Sequence, residues 1–218
     1  MATTLQLRVL FFDVFGTCVA QRTPVADELW KATREALESD ESSISSEVRT
    51  KAAEMEWNKE GEKFVRESNG TVDWRAVDKH RAELLPQLLV RHGLIIPHED
   101  ASTSEFQVGE GSLRDESQLK HLGLVWHRLT PWPDTCHGLD LLDRKLSTVT
   151  PSNSYNDLLE DLVARSNIPF THIYSADMFR SFKPNPKVYL GAAEKMGVKP
   201  EEYLWELLIE ENVFQFFG

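Results

Sequence analysis

Residues 8–15, RVLFFDVF, form an apolar run interrupted only by Asp13. A strand that buries one face alternates polar and apolar positions. An unbroken run predicts a strand covered on both faces, as in a parallel sheet. From Pro24 the period becomes helical. PVADELWKATREAL repeats apolar residues at Val25, Leu29 and Leu37, with a proline near the helix start. ISSEVRTKAAEMEWNKEGEKFVRES and VDWRAVDKHRAELLPQLLVRHG predict two further helices. Gly93 ends the second, and Pro86 should kink or split it. PHEDASTSEFQVGEGSLRDES is polar and reads as a loop, after which QLKHLGLVWHRL resumes a helix that runs into TPWPDTCHGLDLLDRK.

Strand and helix then alternate. LSTVTP predicts a strand, SNSYNDLLEDLVARS a helix, and THIYSAD another strand. PNPKVYLGAAEKMG is a helix with prolines at its start and Gly197 at its end. The expected fold class is α/β. A Rossmann-like parallel core is built from residues 1–20 and 130–205, an all-helical cap of residues 21–129 is inserted into it, and residues 206–218 form a tail.

Composition narrows the function classes. The chain has 218 residues, 41% hydrophobic and 27% charged, enough for one sizeable core or a core plus a smaller unit. A net charge of −11 argues against nucleic acid or an anionic membrane as partner. Cys18 and Cys136 stand in no CxxC spacing, which disfavours a disulfide framework or a zinc site. The apolar run of residues 5–14 contains Asp13 and is followed by no small-residue cleavage site, so it reads as a first strand, not a signal peptide. No run is long enough to span a membrane. Asn69-Gly70-Thr71 matches a glycosylation acceptor, a chance match in a protein expected to be cytoplasmic.

Three polar stations follow the three predicted strands: Asp13 and Thr17, then Ser152 and Asn153, then Lys183 in SFKPNP. Open α/β sheets bind ligands at the carboxyl ends of their strands, so these residues should converge. A carboxylate, a hydroxyl-amide pair and an ammonium around one point make a nucleophilic site able to handle an anion. Plainer readings stay open for each alone. Asp13 can cap a turn, Ser152 and Asn153 can cap the next helix, Lys183 can be solvated and Tyr189 can be core.

DVFGT, then SN, then KPNPKVY resembles the haloacid dehalogenase superfamily. HLGLVWHRLTPWPDTCHGLDLL and SADMFRSFKPNPKVYLGAAEKMG resemble its (S)-2-haloacid dehalogenase branch, type II, particularly the fungal members. Superfamily phosphatases carry a second acid two residues after the first, and here that position is Phe15. The resemblance implies a metal-free reaction with no cofactor. Asp13 displaces halide from a small 2-haloacid and forms an ester, and water then releases the 2-hydroxy acid. Lys183 holds Asp13 charged, Thr17 and Ser152 position the nucleophile or the substrate carboxylate, Asn153 helps receive the halide, and Tyr189 supports the lysine. It also allows a homodimer.

Two departures qualify these expectations. The family's cap arginine has no counterpart after Trp57, where Asn58 stands, and Arg22 is the candidate substitute. After residue 202 the chain reads EYLWELLIEENVFQFFG, unlike the family's ending, so the core is expected to lack its last strands and the acidic station that activates water. Glu206, Glu210 and Glu211 are the carboxylates left there. Ester hydrolysis should then suffer more than halide displacement. The alternatives are a degenerate member of little activity, or a phosphatase of the same fold, which Phe15 disfavours.

Overall fold

The apolar run before Asp13 becomes strand β1 (Val9–Phe12) at the centre of a five-stranded sheet. Its partners are β2 (Ser147–Pro151), β3 (His172–Tyr174), β4 (Tyr203–Ile209) and β5 (Asn212–Phe216), in the order β3-β2-β1-β4-β5. The first four strands run parallel, and β5 pairs antiparallel with β4. The computed structural model describes residues 6–39, 43–68, 77–98, 106–209 and 212–216. Asn69, Glu210 and Glu211 lie outside them. The described residues divide into two compact units: an α/β unit up to residue 21 and from residue 127, and an all-helical unit within residues 22–126.

In the α/β unit, alternation along the strands sorts the two faces. Val9, Phe11 and Val149 join Phe179, Val188, Ala192 and Trp205 in one buried cluster. Helices α8 (Ala176–Phe179) and α9 (Pro186–Met196) supply Phe179, Val188 and Ala192. Helix α9 starts where Asn185 accepts the Lys187 N–H at 2.9 Å ahead of Pro186, and stops at Gly197 in the left-handed region. Two more helices, α6 (Thr135–Asp143) and α7 (Asn156–Ser166), complete the unit. Among the described residues no helix is long and apolar enough to cross a membrane.

The expectation that the sheet lacks its last strands is corrected for the fourth strand. YLWELLI is β4, lying beside β1 with Val9 opposite Tyr203 and Phe12 opposite Glu206. The physical reason is aromatic. Trp205 is buried and stacks on Phe11 with ring centroids 4.5 Å apart, while Tyr203 meets Phe11 edge-on at 5.4 Å. An apolar edge on β1 would invite pairing with another chain, and β4 removes it.

The helical unit contains α1 (Arg22–Glu38), α2 (Ser46–Glu54), α3 (Trp57–Ser68), α4 (Val77–Arg91) and α5 (Glu116–Gly123). The sequence predicts one helix through α2 and α3, but the chain leaves helical geometry at Met55 and restarts at Trp57. Trp57 Nε1 donates to the Ala52 carbonyl at 2.9 Å, taking up an acceptor that the end of α2 leaves unpaired. Helix α4 runs through Pro86 without splitting. Its neighbours Leu85, Leu88 and Leu89 are fully buried, and burial on that scale outweighs the few kcal/mol, about 3, that an interior proline costs. Arg81 is also buried, its guanidinium 4.1 Å over the Trp126 ring.

Two stability outcomes follow from this packing. Trp205→Ala removes the stack on Phe11 and should lower unfolding free energy by about 3–5 kcal/mol in urea titrations. A loss well under 1 kcal/mol would show that β4 does not cover β1. In the helical unit, a Cβ built on Gly61 falls 2.4 Å from Ala26 Cβ. Gly61→Ala gains helix propensity of about 1 kcal/mol but forces α1 and α3 apart, at a cost of about 1–3 kcal/mol. The substitution should destabilise, and adding Ala26→Gly should restore most of the loss; rescue that fails refutes the close approach.

Candidate active site

Asp13 follows β1 directly, and the next six residues fold back on themselves. The Val14 carbonyl accepts from the Cys18 and Val19 N–H groups at 2.8 and 3.0 Å, and Gly16 donates to Val19 O at 2.8 Å. Gly16 has φ +90°, a conformation that suits a residue without Cβ. The Cys18 carbonyl in turn accepts from Trp132 N–H and Thr135 Oγ1 at 3.0 and 2.9 Å. Cys18 Sγ donates to the Asp13 carbonyl at 3.3 Å. These bonds make a rigid turn that holds the Asp13 backbone, and Thr17 is buried within it.

The second and third stations reach the same place. Lys183 Nζ donates to Asp13 Oδ1 at 2.7 Å, with the lysine side chain 10% exposed and the aspartate 28%. Asn153 Oδ1 accepts the Lys183 backbone N–H at 2.6 Å, and Asn153 Nδ2 donates to the Lys183 carbonyl at 3.1 Å. Ser152 is buried. Its N–H donates to Tyr174 O at 2.9 Å and its Oγ accepts the Ser154 N–H at 3.2 Å. Neither Ser152 nor Asn153 caps α7, whose N-cap is Tyr155.

Tyr189, on the first turn of α9, packs edge-on against Trp205 with centroids 4.7 Å apart. Burial, and after it the charge of Asp13, pushes the Tyr189 phenol above its ordinary value. Trp205 thus enters the site's wall, and sequence reasoning missed it. The apolar run after the Pro200 turn was the available signal, obscured because its residues differ from the expected ending. Arg22 opens α1 and belongs to the helical unit, whereas the other stations belong to the α/β unit. His127 Nδ1 lies 2.8 Å from Asp161 Oδ2 and its Nε2 3.1 Å from Tyr155 OH, which ties its turn to the start of α7. Among the described residues no three His, Cys, Asp or Glu side chains gather as a metal site needs.

Comparison with known proteins gives this geometry a family. Residues 7–205 match the haloacid dehalogenase-like hydrolase family. The chain belongs to it. Within these hydrolases, the (S)-2-haloacid dehalogenase of Xanthobacter autotrophicus is 38% identical over 106 residues, 48% of this chain and 40% of that protein. The enzyme of the same name from Pseudomonas putida is 31% identical over 98 residues, 44% of each chain. The matches therefore span less than half the length of these relatives. The crystal structure of a defluorinating L-2-haloacid dehalogenase superposes at a TM-score of 0.67 with 25% identity, covering 91% of this chain and 72% of its own. The Xanthobacter autotrophicus L-2-haloacid dehalogenase with chloropropionic acid covalently bound shares the fold at 0.64 and 23% identity, covering 92% and 69%.

The Tyr189 phenol offers a test of the site's electrostatics. Its folded-state pKa is raised, so its contribution to stability is fully present below the ordinary tyrosine value and is lost as pH rises through the folded one. Ultraviolet titration of phenolate, with Tyr189→Phe to assign the signal, should show Tyr189 ionising above the ordinary tyrosine value. Asp13→Asn should lower that midpoint while burial keeps part of the elevation. An unmoved midpoint would place Asp13 away from the ring.

Proposed function

We propose that this chain dehalogenates small (S)-2-haloacids to 2-hydroxy acids through an ester on Asp13, without a metal ion. The observation that carries the reading is the 2.7 Å contact between Lys183 Nζ and Asp13 Oδ1 in a turn whose next side chain but one is Phe15. One carboxylate with an ammonium beside it is a charged oxygen nucleophile. A hard divalent ion would want about six oxygen ligands, and the aromatic side chain offers none.

In the first step an Asp13 carboxylate oxygen attacks the α-carbon. The new C–O bond forms as the carbon–halogen bond breaks, the halide leaves with the bonding pair, and the α-carbon inverts. In the second step water adds to the Asp13 Cγ and the acyl–oxygen bond breaks. The 2-hydroxy acid departs with the former aspartate oxygen, and Asp13 regains one from solvent. Lys183 keeps the nucleophile charged and oriented, Thr17 and Ser152 orient it or the substrate carboxylate, and Tyr189 walls the lysine side. Among the described residues the end of β4 contributes one acid in sequence, Glu206, followed by Leu207-Leu208-Ile209. On this reading water activation is the slower half-reaction, and the ester should accumulate.

Mixing with L-2-chloropropionate should give a burst of chloride close to one equivalent per chain, then slow release. Mass spectrometry should find the ester on the peptide containing Asp13. Asp13→Asn should abolish both signals, and Lys183→Ala should slow the burst by about 100-fold. A folded chain that gives neither ester nor chloride would return the protein to the degenerate-member alternative. Fast release without a burst would refute the slow second step.

A further inference from the structure

Lys183 lies in the loop between α8 and α9, where no helix or strand ladder takes up its peptide groups. Asn153 does so instead, accepting the Lys183 N–H at 2.6 Å and donating to the Lys183 carbonyl at 3.1 Å. Only a carboxamide offers an acceptor and a donor in that arrangement. An aspartate would accept the N–H but set a negative oxygen against the carbonyl, and an alanine would leave both groups to water.

Asn153 is exposed, so these bonds compete with solvent and add little to stability. Their effect is geometric. A lysine ammonium is a point charge on a flexible four-carbon stem, and it lands in a fixed place only if its backbone is fixed. Asn153 follows β2, next to β1, so the clamp refers Lys183 to the same sheet that carries Asp13. The asparagine commits its amide oxygen and one of its two amide N–H groups to this loop.

We infer that Asn153 is the positioning residue that sets Lys183 against Asp13, acting on the reaction through the lysine. The inference rests on Asp13 being the nucleophile. It predicts a small effect on stability and a large one on ester formation, because misplacement of about 1 Å costs on the order of 100-fold in rate.

The experiment compares wild type, Asn153→Ala, Asn153→Asp, Lys183→Ala and the Asn153→Ala/Lys183→Ala double variant on the full chain. Brief acetylation with acetic anhydride, read by peptide mass spectrometry, reports the accessibility of Lys183 against exposed Lys187 and needs no substrate. Asn153→Ala should raise Lys183 labelling to nearly that of Lys187, and Asn153→Asp should lie between. Ester formation from 2-chloropropionate should fall in Asn153→Ala by about 10- to 100-fold, with KM unchanged. The double variant should be no slower than Lys183→Ala alone. Unchanged labelling or additive losses in the double variant would overturn the inference. If Asn153→Ala fails to fold, Asn153→Asp carries the same comparisons. If wild type forms no ester, the dehalogenase reading fails, while the labelling still decides whether Asn153 positions Lys183.

Discussion

A lysine ammonium lies 2.7 Å from a carboxylate oxygen contributed by a residue 170 positions earlier in the chain. Such a pair is not kept for stability. Drawing two charges partly out of water costs several kcal/mol, about as much as their attraction returns. It persists because both ends are held by rigid backbone: Asp13 by the turn closed on the Val14 carbonyl, Lys183 by the Asn153 carboxamide. Every other assignment at the site depends on that pair. Without it Asp13 is a residue at a turn, and Phe15 says nothing about metal.

The pair depends on the sheet, and the sheet depends on β4. Three parallel strands would leave β1 with an apolar open edge next to Asp13. Trp205 closes that edge by stacking on Phe11, two residues before Asp13, and its other contact is the edge of Tyr189. The phenol of Tyr189 feels the charge of Asp13. Strand β4 and helix α9 thus form one aromatic wall running from the core toward Asp13.

Much of this was legible in the sequence, because the relevant signals are local. An unbroken apolar run means a strand covered on both faces, and Asn185-Pro186 with Gly197 brackets α9 by capping chemistry alone. The convergence of Asp13 and Lys183 followed from a rule about parallel sheets. Where the reading failed, a tertiary partner decided. Pro86 stays inside α4 because three leucines beside it are buried. The break at Met55 has no glycine or proline to announce it. YLWELLI is strand-like taken alone, but its place beside β1 is visible only once Phe11 and Trp205 face each other.

The two ends of the sheet show what a site requires beyond satisfied hydrogen bonds. At the amino end of β2, Asp143 accepts from the hydroxyls of Thr148 and Thr171, and those bonds, Thr171 foremost, hold its carboxyl below the ordinary aspartate range. Both hydroxyls converge on Oδ1 of that carboxylate, which ties the end of α6 to β2 and to the residue before β3. At the carboxyl end, Asp13 has an ammonium on one oxygen and an apolar ring two residues on. The ammonium offsets charge at Oδ1, and among the described residues no hydrogen bond reaches the second oxygen. Two aspartates of one unit thus differ in their neighbours: neutral hydroxyls that tie elements together at one, a cation and an apolar ring at the other.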